Sequence, residues 1–403
     1  MIIRKNRKAV IENLAKDDIL LIIGARQVGK TTLLKDISHY LSGRDAEVYE
    51  FTLEDPELLS DLNTHPDNIF HYIPRRSYRI YLLLDEIQYL KDPSNFLKYH
   101  YDQNRETLKL IVTGSSAFYI DRRFKDSLAG RKKIVELFPF CFSEFLTARD
   151  EKKLADTIAD TPEVGAKRKW LKPDRRKLQQ YWYEYTVYGG YPKVVLEDNI
   201  REKEELLKEL VLSFLKKDIY EAGVQNEEKF FKLVRILAAQ TGELVNANEL
   251  SNTLELSKDT VAKYLYILQK SYIIRLCSPF FRNLRKELTK MPKVFFFDPG
   301  YRNRLLNNFE RIDRRVDGGA TLENIIFSEM RKNDIEEIGF WRTQDKKEVD
   351  FIVNRSFAYE VKTNINKFKI NKYKTFLQTY PDIQLKPVTC FDDQSLDVLD
   401  FSG

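Results

Sequence analysis

Cysteine and histidine are scarce in this chain of 403 residues, with three of the first (Cys141, Cys277, Cys390) and four of the second (His39, His65, His71, His100). The cysteines are far apart and odd in number, which excludes a disulfide framework or a zinc-ligand pattern and suits a reducing compartment. The histidines have no ligand spacing. Long apolar runs are missing as well: none approaches the length of a membrane span. The charged residues among the first eight are not followed by the apolar stretch of a secretory leader. A cytoplasmic location with no membrane partner is therefore expected. Glycine (15) and proline (13) are sparse, and no low-complexity tract or internal repeat is visible. The formal charge of +6 is modest for this length; it permits nucleic acid as a partner without arguing for it. With 43% hydrophobic and 32% charged residues, the chain reads as globular, with a heavily charged surface and more than one core.

Against this background one stretch stands out. An apolar run, Ile19 to Ile23, leads into Gly24-Ala25-Arg26-Gln27-Val28-Gly29-Lys30-Thr31-Thr32, a complete G-x-x-x-x-G-K-T, and a helical pattern follows. Strand, loop and helix in that order are the context a phosphate-binding loop requires. Gly24 and Gly29 let the backbone turn tightly, so successive N–H groups can line one anion-sized concavity. The helix beginning near Lys30 adds its positive end. Lys30 can reach the β- and γ-phosphates of a nucleotide, and the Thr31 hydroxyl can ligate Mg²⁺. A strand-turn-helix that binds nothing would leave the glycines, Lys30 and Thr31 unexplained together.

Two more strands carry polar residues at their carboxyl ends. The apolar run Arg79 to Leu84 ends in Asp85 and Glu86, and Lys109 to Val112 ends in Thr113, Ser115 and Ser116. Strands alternating with helices imply a parallel, doubly wound sheet whose ligands bind at those ends. Asp85 is expected to hold Mg²⁺, and Glu86 to orient the water that attacks the γ-phosphate. Thr113, Ser115 or Ser116 can sense that phosphate; small polar residues after a strand also cap helices. Basic residues crowd the next segment (Arg122, Arg123, Lys125, Arg131, Lys132, Lys133), where Arg131 is the preferred finger or sensor on the nucleotide and a solvated basic face is the alternative.

Residues 1–146 thus read as a P-loop core. Residues 147–226 form a charged insertion and a helical lid, broken at Tyr188-Gly189-Gly190-Tyr191-Pro192, where two glycines allow a close backbone approach. Residues 227–316 show three helices and a pair of strands, the pattern of a winged helix-turn-helix. The third helix offers Lys258, Thr260, Lys263, Tyr266 and Lys270 on its exposed face, side chains suited to phosphates and base edges; a packing or regulatory module is the bland alternative. In residues 317–403 a helix carries Glu323, strands follow at 338–342, 348–353 and 358–362, and a basic helix is expected from Lys367 to Tyr380. Glu360 and Lys362 share a strand face. With Asp350 on a neighbouring strand and Glu323 from the helix, the set can hold a second Mg²⁺ or Mn²⁺ for phosphodiester hydrolysis. A structural ion network is the competing account.

Together with Leu84-Asp85-Glu86-Ile87-Gln88, Phe138-Pro139-Phe140, Leu322-Glu323-Asn324 and Glu348-Val349-Asp350-Phe351, these motifs resemble the bacterial and archaeal predicted AAA-type ATPases. Members of that group carry a C-terminal domain of unknown function similar to PD-(D/E)xK nucleases. The resemblance implies an α/β fold with a P-loop NTPase parallel sheet, a helical lid, a winged helix-turn-helix and a small nuclease-like C-terminal domain. The expected activity is Mg-dependent ATP hydrolysis driving a switch, with ATP and ADP as ligands. An ATP-gated, metal-dependent DNA nuclease and a DNA-binding regulator with an inert C-terminal domain are the alternatives. A protein partner or self-association is compatible with each.

Overall fold

The computed structural model describes residues 2, 4–114, 128, 130–159, 171–214, 219–281 and 290–389. The chain divides into two compact units, residues 1–138 with 270–272, and residues 139–269 with 273–403.

The first unit is built on five parallel strands: β1 (Ile19–Gly24), β2 (Val48–Thr52), β3 (Ile80–Asp85), β4 (Leu108–Gly114) and β5 (Lys132–Leu137). Their order is β2-β3-β4-β1-β5, and every pair is parallel. β1 and β4 are buried along their whole length, which is why β1 reads as an unbroken apolar run and β4 as an apolar run carrying one lysine. β5 is the strand that the sequence conceals. It opens on two lysines and lies at the sheet edge with Lys133 and Ile134 exposed, so its apolar signal is diluted. Helices Lys30–Ser42 and Pro93–Asn104 both pack on β4. A repeated device starts helices here. In Asp55-Pro56 and Asp92-Pro93 the aspartate accepts backbone N–H groups of the first turn while proline takes the first helical position, where no donor is needed.

The second unit begins with helices Phe142–Ala148, Lys152–Ala159, Lys172–Tyr188, Pro192–Leu196 and Ile200–Ser213. Gly189 and Gly190 are required by close approach. A Cβ at Gly190 would stand 2.1 Å from the Phe140 carbonyl oxygen, and one at Gly189, with φ +76°, would stand 2.1 Å from the Asp298 carboxylate. The Gly190 N–H donates to that carboxylate at 2.7 Å. Three helices follow, Glu227–Ala239, Ala247–Leu254 and Lys258–Lys270, then the antiparallel ribbon β6 (Ile274–Cys277) and β7 (Lys293–Phe296). Asp298-Pro299 repeats the capping device at helix Pro299–Leu306.

Helix Gly318–Lys332 packs on β7. The Asn324 side chain accepts from the Phe296 N–H at 2.6 Å and donates to the Phe296 carbonyl at 3.2 Å. It thereby satisfies a strand edge with one amide group. A four-stranded sheet closes the unit: β8 (Ile338–Arg342), β9 (Glu348–Val353), β10 (Phe357–Val361) and β11 (Gln384–Val388), in the order β11-β10-β9-β8. Phe295 of β7, Phe327 of the helix and Phe351 of β9 lie with ring centroids within 6.1 Å of one another, the first two stacked, so the ribbon and the terminal sheet share one core. The helix expected over Lys367–Tyr380 is confined to Lys374–Thr379, with 3-10 turns at Ile365–Lys367 and Ile370–Tyr373. The Asn364 side chain accepts from the Asn366 N–H at 2.8 Å, the local bond by which asparagine favours turns over helix.

Candidate functional site

Three strand ends meet at one hydrogen-bonded centre in the first unit. β1 ends at Gly24, where a Cβ would collide with the Leu137 carbonyl oxygen at 2.0 Å, so only glycine lets β5 lie this close. The loop then enters its helix through Gly29, at φ +98°. Lys30 is buried, and its ammonium donates to the carbonyls of Gly24 at 3.1 Å and Ala25 at 2.8 Å. The Thr31 hydroxyl donates to Asp85 Oδ2 at 2.7 Å. Thr113 at the end of β4 donates to Asp85 Oδ1 and accepts the Glu86 N–H at 3.0 Å. Glu86 is left-handed at φ 60°, a costly conformation for a non-glycine residue, and the Gln88 side-chain amide donates to its carboxylate.

This arrangement brings Gly24, Lys30, Thr31, Asp85, Glu86 and Thr113 together, with Gly29 at the head of the helix. Thr113 takes a different part from the one expected. Its hydroxyl is engaged by Asp85 and Glu86, so it orients the acidic pair. Ala25 and Val28 are buried, Arg26 is half-buried, and Gln27, Thr31 and Thr32 are exposed along the loop and first helical turn. Ser115, Ser116, Arg122, Arg123 and Lys125 lie outside the described residues.

Arg131 is a correction. Its carbonyl accepts the Ile19 N–H at 2.9 Å and its guanidinium pairs with Asp102 at 3.1 Å. It therefore precedes β5 at the amino ends of parallel strands, about 20 Å of strand away from the loop. Within its own chain it does not reach the nucleotide crevice.

Two residues of this unit escape a sequence reading. Arg4 donates to the Val28 carbonyl at 2.8 Å and the Phe138 carbonyl at 2.6 Å, bracing the phosphate loop from the lead-in segment. Lys109 is buried in β4 and donates to Asn13 Oδ1 at 3.2 Å and to the carbonyls of Asn13 at 2.9 Å and Lys16 at 2.8 Å; burial pushes its ammonium down to about 8. A basic residue in a lead-in segment, or one lysine in an apolar strand, gives no warning of a long-range partner.

In the second unit the expected C-terminal residues converge too. The register of β9 and β10, which pairs Phe351 with Tyr359, carries Asp350 opposite Glu360. Asp350 Oδ2 accepts the Val361 N–H at 2.8 Å, and Lys362 pairs with Glu360 Oε1. Two further side chains belong to this cluster. Lys293, which opens β7 and is 2% exposed, pairs with Glu348 and stands 3.6 Å from Glu323. Glu348 also accepts from Arg342 at 2.8 Å. Burial, reinforced by Glu323 and Glu360, pushes the Asp350 carboxyl well above its usual range. Burial raises Glu323 as well, against the pull of Lys293. Burial would lower Lys293, but Glu323, Glu348 and Asp350 outweigh it and hold the ammonium above the ordinary lysine range.

Alternation along β9, which puts Glu348 on the Asp350 face, is the signal that identifies Glu348. For Lys293 there was only a lysine at the head of an apolar strand. Among the described residues no three His, Cys, Asp or Glu side chains are grouped to hold a metal ion. As it stands the cluster, with an ammonium already among its carboxylates, does not fit a resident Mg²⁺ or Mn²⁺.

On helix Lys258–Lys270, Lys258, Lys263 and Tyr266 are exposed while Thr260 and Lys270 are half-buried. Ser257 accepts the Thr260 N–H at 3.1 Å, as a helix cap does. Among the described residues no helix is long and apolar enough to cross a membrane.

Comparison with known proteins divides the chain in three. Residues 16–146 match the family model of an AAA domain, residues 179–311 a domain of unknown function (DUF8612), and residues 318–400 a domain of unknown function (DUF4143). An uncharacterized protein of Haemophilus influenzae is 26% identical over 372 residues, covering 88% of this chain and 84% of its own. One of Methanocaldococcus jannaschii is 28% identical over 339 residues, covering 81% and 70%. Among solved structures, the Aeropyrum pernix ORC2 protein in its ADP form is 14% identical, covering 67% of this chain and 85% of that one with a TM-score of 0.37. The motifs at Gly24–Thr32 and Asp85–Glu86 fall inside the first matched segment, residues 16–146, whose sequence is similar to AAA domains.

Proposed function

We propose that the chain is a Mg-dependent ATPase that works as a nucleotide-driven switch on its winged-helix and C-terminal segments. The observation that supports this reading most is the contact of Thr31 with Asp85, beside a buried Lys30 and a constrained Glu86. The ammonium of Lys30 would exchange the Gly24 and Ala25 carbonyls for β- and γ-phosphate oxygens. Thr31 and Asp85 would hold the magnesium ion, which supplies charge neutralisation at those oxygens when bound. Glu86 would accept the proton of the attacking water, with Gln88 and Thr113 fixing its direction. Tyr272, which follows the third helix in sequence and clusters with the first unit, donates to Glu136 of β5 at 2.9 Å. That bond gives hydrolysis a covalently linked element to act on.

ATP titration and steady-state turnover test the reading. Lys30→Ala is expected to lose ATP affinity, and Glu86→Gln to keep affinity while turning over slowly. Unchanged ATP affinity in Lys30→Ala would remove the proposal.

A second reading, DNA binding through the third helix, draws on the exposure of Lys258, Lys263 and Tyr266. Affinity for duplex DNA should then fall with salt, and the slope against log salt should flatten in Lys258→Ala and Lys263→Ala. Absence of binding at low salt would dismiss it.

A further inference from the structure

The acidic cluster of the second unit contains its own cation. Lys293 reaches it from β7, outside the segment that supplies the carboxylates, and is among the most buried side chains of the chain. Its ammonium pairs with Glu348 and lies 3.6 Å from Glu323, and the charges of Glu323, Glu348 and Asp350 together hold it protonated. A second observation shows that the surroundings of the set favour positive charge. Glu360 is 5% exposed, and its Oε2 is buried with no hydrogen-bond partner, while Oε1 is taken by Lys362. The Tyr373 hydroxyl bonds the same carboxylate, and a buried carboxylate oxygen short of donors favours a nearby positive charge.

We infer that Lys293 is an internal counter-ion occupying the cation position among Glu323, Glu348 and Asp350, with Glu360 beside it, so that the native chain excludes a divalent ion there and removal of the ammonium creates a divalent-cation site. The physical reason is competition. An ammonium held by several carboxylates repels a second cation at close range, and the carboxylates that face it are not free to draw in to the shorter contacts an oxygen-ligated metal requires. Because β7 is tied to helix Gly318–Lys332 by Asn324, Lys293 enters as part of a fixed strand and its ammonium is delivered by the fold. Arg342 and Lys362 stand at the rim, on Glu348 and Glu360, and neither replaces Lys293 at the centre.

The test is Mn²⁺ binding to the full chain without nucleotide, followed by the loss of the free-ion electron paramagnetic resonance signal. An Asp85→Asn background silences the phosphate loop. The chain with Lys293 intact is expected to take up no ion at concentrations that fill the variant. Lys293→Met is expected to bind one Mn²⁺ per chain, tighter by on the order of a hundredfold. Adding Glu323→Gln to Lys293→Met should abolish that ion, and Lys293→Arg should behave like the unmodified lysine. Thermal melts give a separate readout: Mn²⁺ should raise the midpoint of Lys293→Met and leave the Lys293 chain unmoved. If Lys293→Met does not accumulate, Lys293→Gln, which keeps a neutral stem in β7, takes its place in every arm. Stoichiometric Mn²⁺ in the Lys293 chain that is lost on Asp350→Asn overturns the inference. So does a folded Lys293→Met or Lys293→Gln chain that neither binds nor is stabilised by the ion.

Discussion

Replacing Thr113 with valine removes a hydroxyl and keeps the shape of the side chain, so its consequences can be worked from two contacts. The hydroxyl donates to Asp85 Oδ1 and accepts the Glu86 N–H at 3.0 Å, in a fully buried position. A hydrogen bond to a charged group contributes about 1.5–3 kcal/mol and a neutral one about 0.5–1.5 kcal/mol, with the higher values where a buried partner is left unsatisfied. Thr113→Val should therefore destabilise the first unit by roughly 2–4 kcal/mol. The functional effect should be selective. Lys30 and the loop amides are untouched, so ATP affinity should stay within about threefold, a change under 1 kcal/mol. Glu86, however, loses the bond that helps hold it in the left-handed region, and its carboxylate will populate other directions. If misdirection costs about 1.4–3 kcal/mol in the transition state, turnover falls about ten- to a hundredfold. Urea unfolding monitored by far-ultraviolet circular dichroism, ATP titration and steady-state phosphate release provide the three measurements. Equal losses in affinity and turnover, or unchanged stability, would show that Thr113 does not orient the acidic pair as argued.

Further outcomes follow from other contacts. His100 is buried among Phe70, Phe96 and Tyr99, and burial pushes it down to about 4, below the ordinary 6.5. The unfolded chain then takes up the proton first, so stability is lost as pH falls through about 6.5 and levels off below about 4, by about 3 kcal/mol in all. The difference in urea midpoint between the unmodified chain and His100→Gln should shrink across that window. Gly190→Ala forces a Cβ to within 2.1 Å of the Phe140 carbonyl oxygen; separating the two backbones should cost about 2–3 kcal/mol, read as a lower melting midpoint. Arg131→Ala removes a half-exposed pair with Asp102 and a cation–π contact with Tyr101 at 5.8 Å. It should change stability by under about 1 kcal/mol and leave ATP turnover in dilute solution unchanged; a large loss of turnover would mean that Arg131 reaches a nucleotide after all.

Much of the first unit was legible because its signals are local. An unbroken apolar strand, two glycines, Lys30 and Thr31 in order, and a carboxylate pair at a strand end are each imposed by neighbours within a few residues. Asp85 meets Thr31 because parallel strands present their carboxyl ends together, a rule that needs no coordinates. β5 was hidden because it lies at the edge of the sheet, where side chains are less covered, and Lys132 and Lys133 occupy its start. Arg131 was misplaced for a related reason: charge was visible in the sequence, but which end of β5 it stood at was not.

By itself, the sequence determined where a glycine-rich loop joins a buried strand to a helix, which carboxylates end the neighbouring strand, and that Glu360 and Lys362 lie two residues apart at a strand end. Only tertiary structure decided that Thr113 is engaged by Asp85 and Glu86, that Arg4 braces the loop, and that Lys293 enters a carboxylate cluster supplied by another part of the chain. The reason is physical. Local patterns fix which face a side chain takes, whereas the partner of a buried charge is set by whichever distant strand the packing brings within a few ångströms, and burial then makes that partner obligatory.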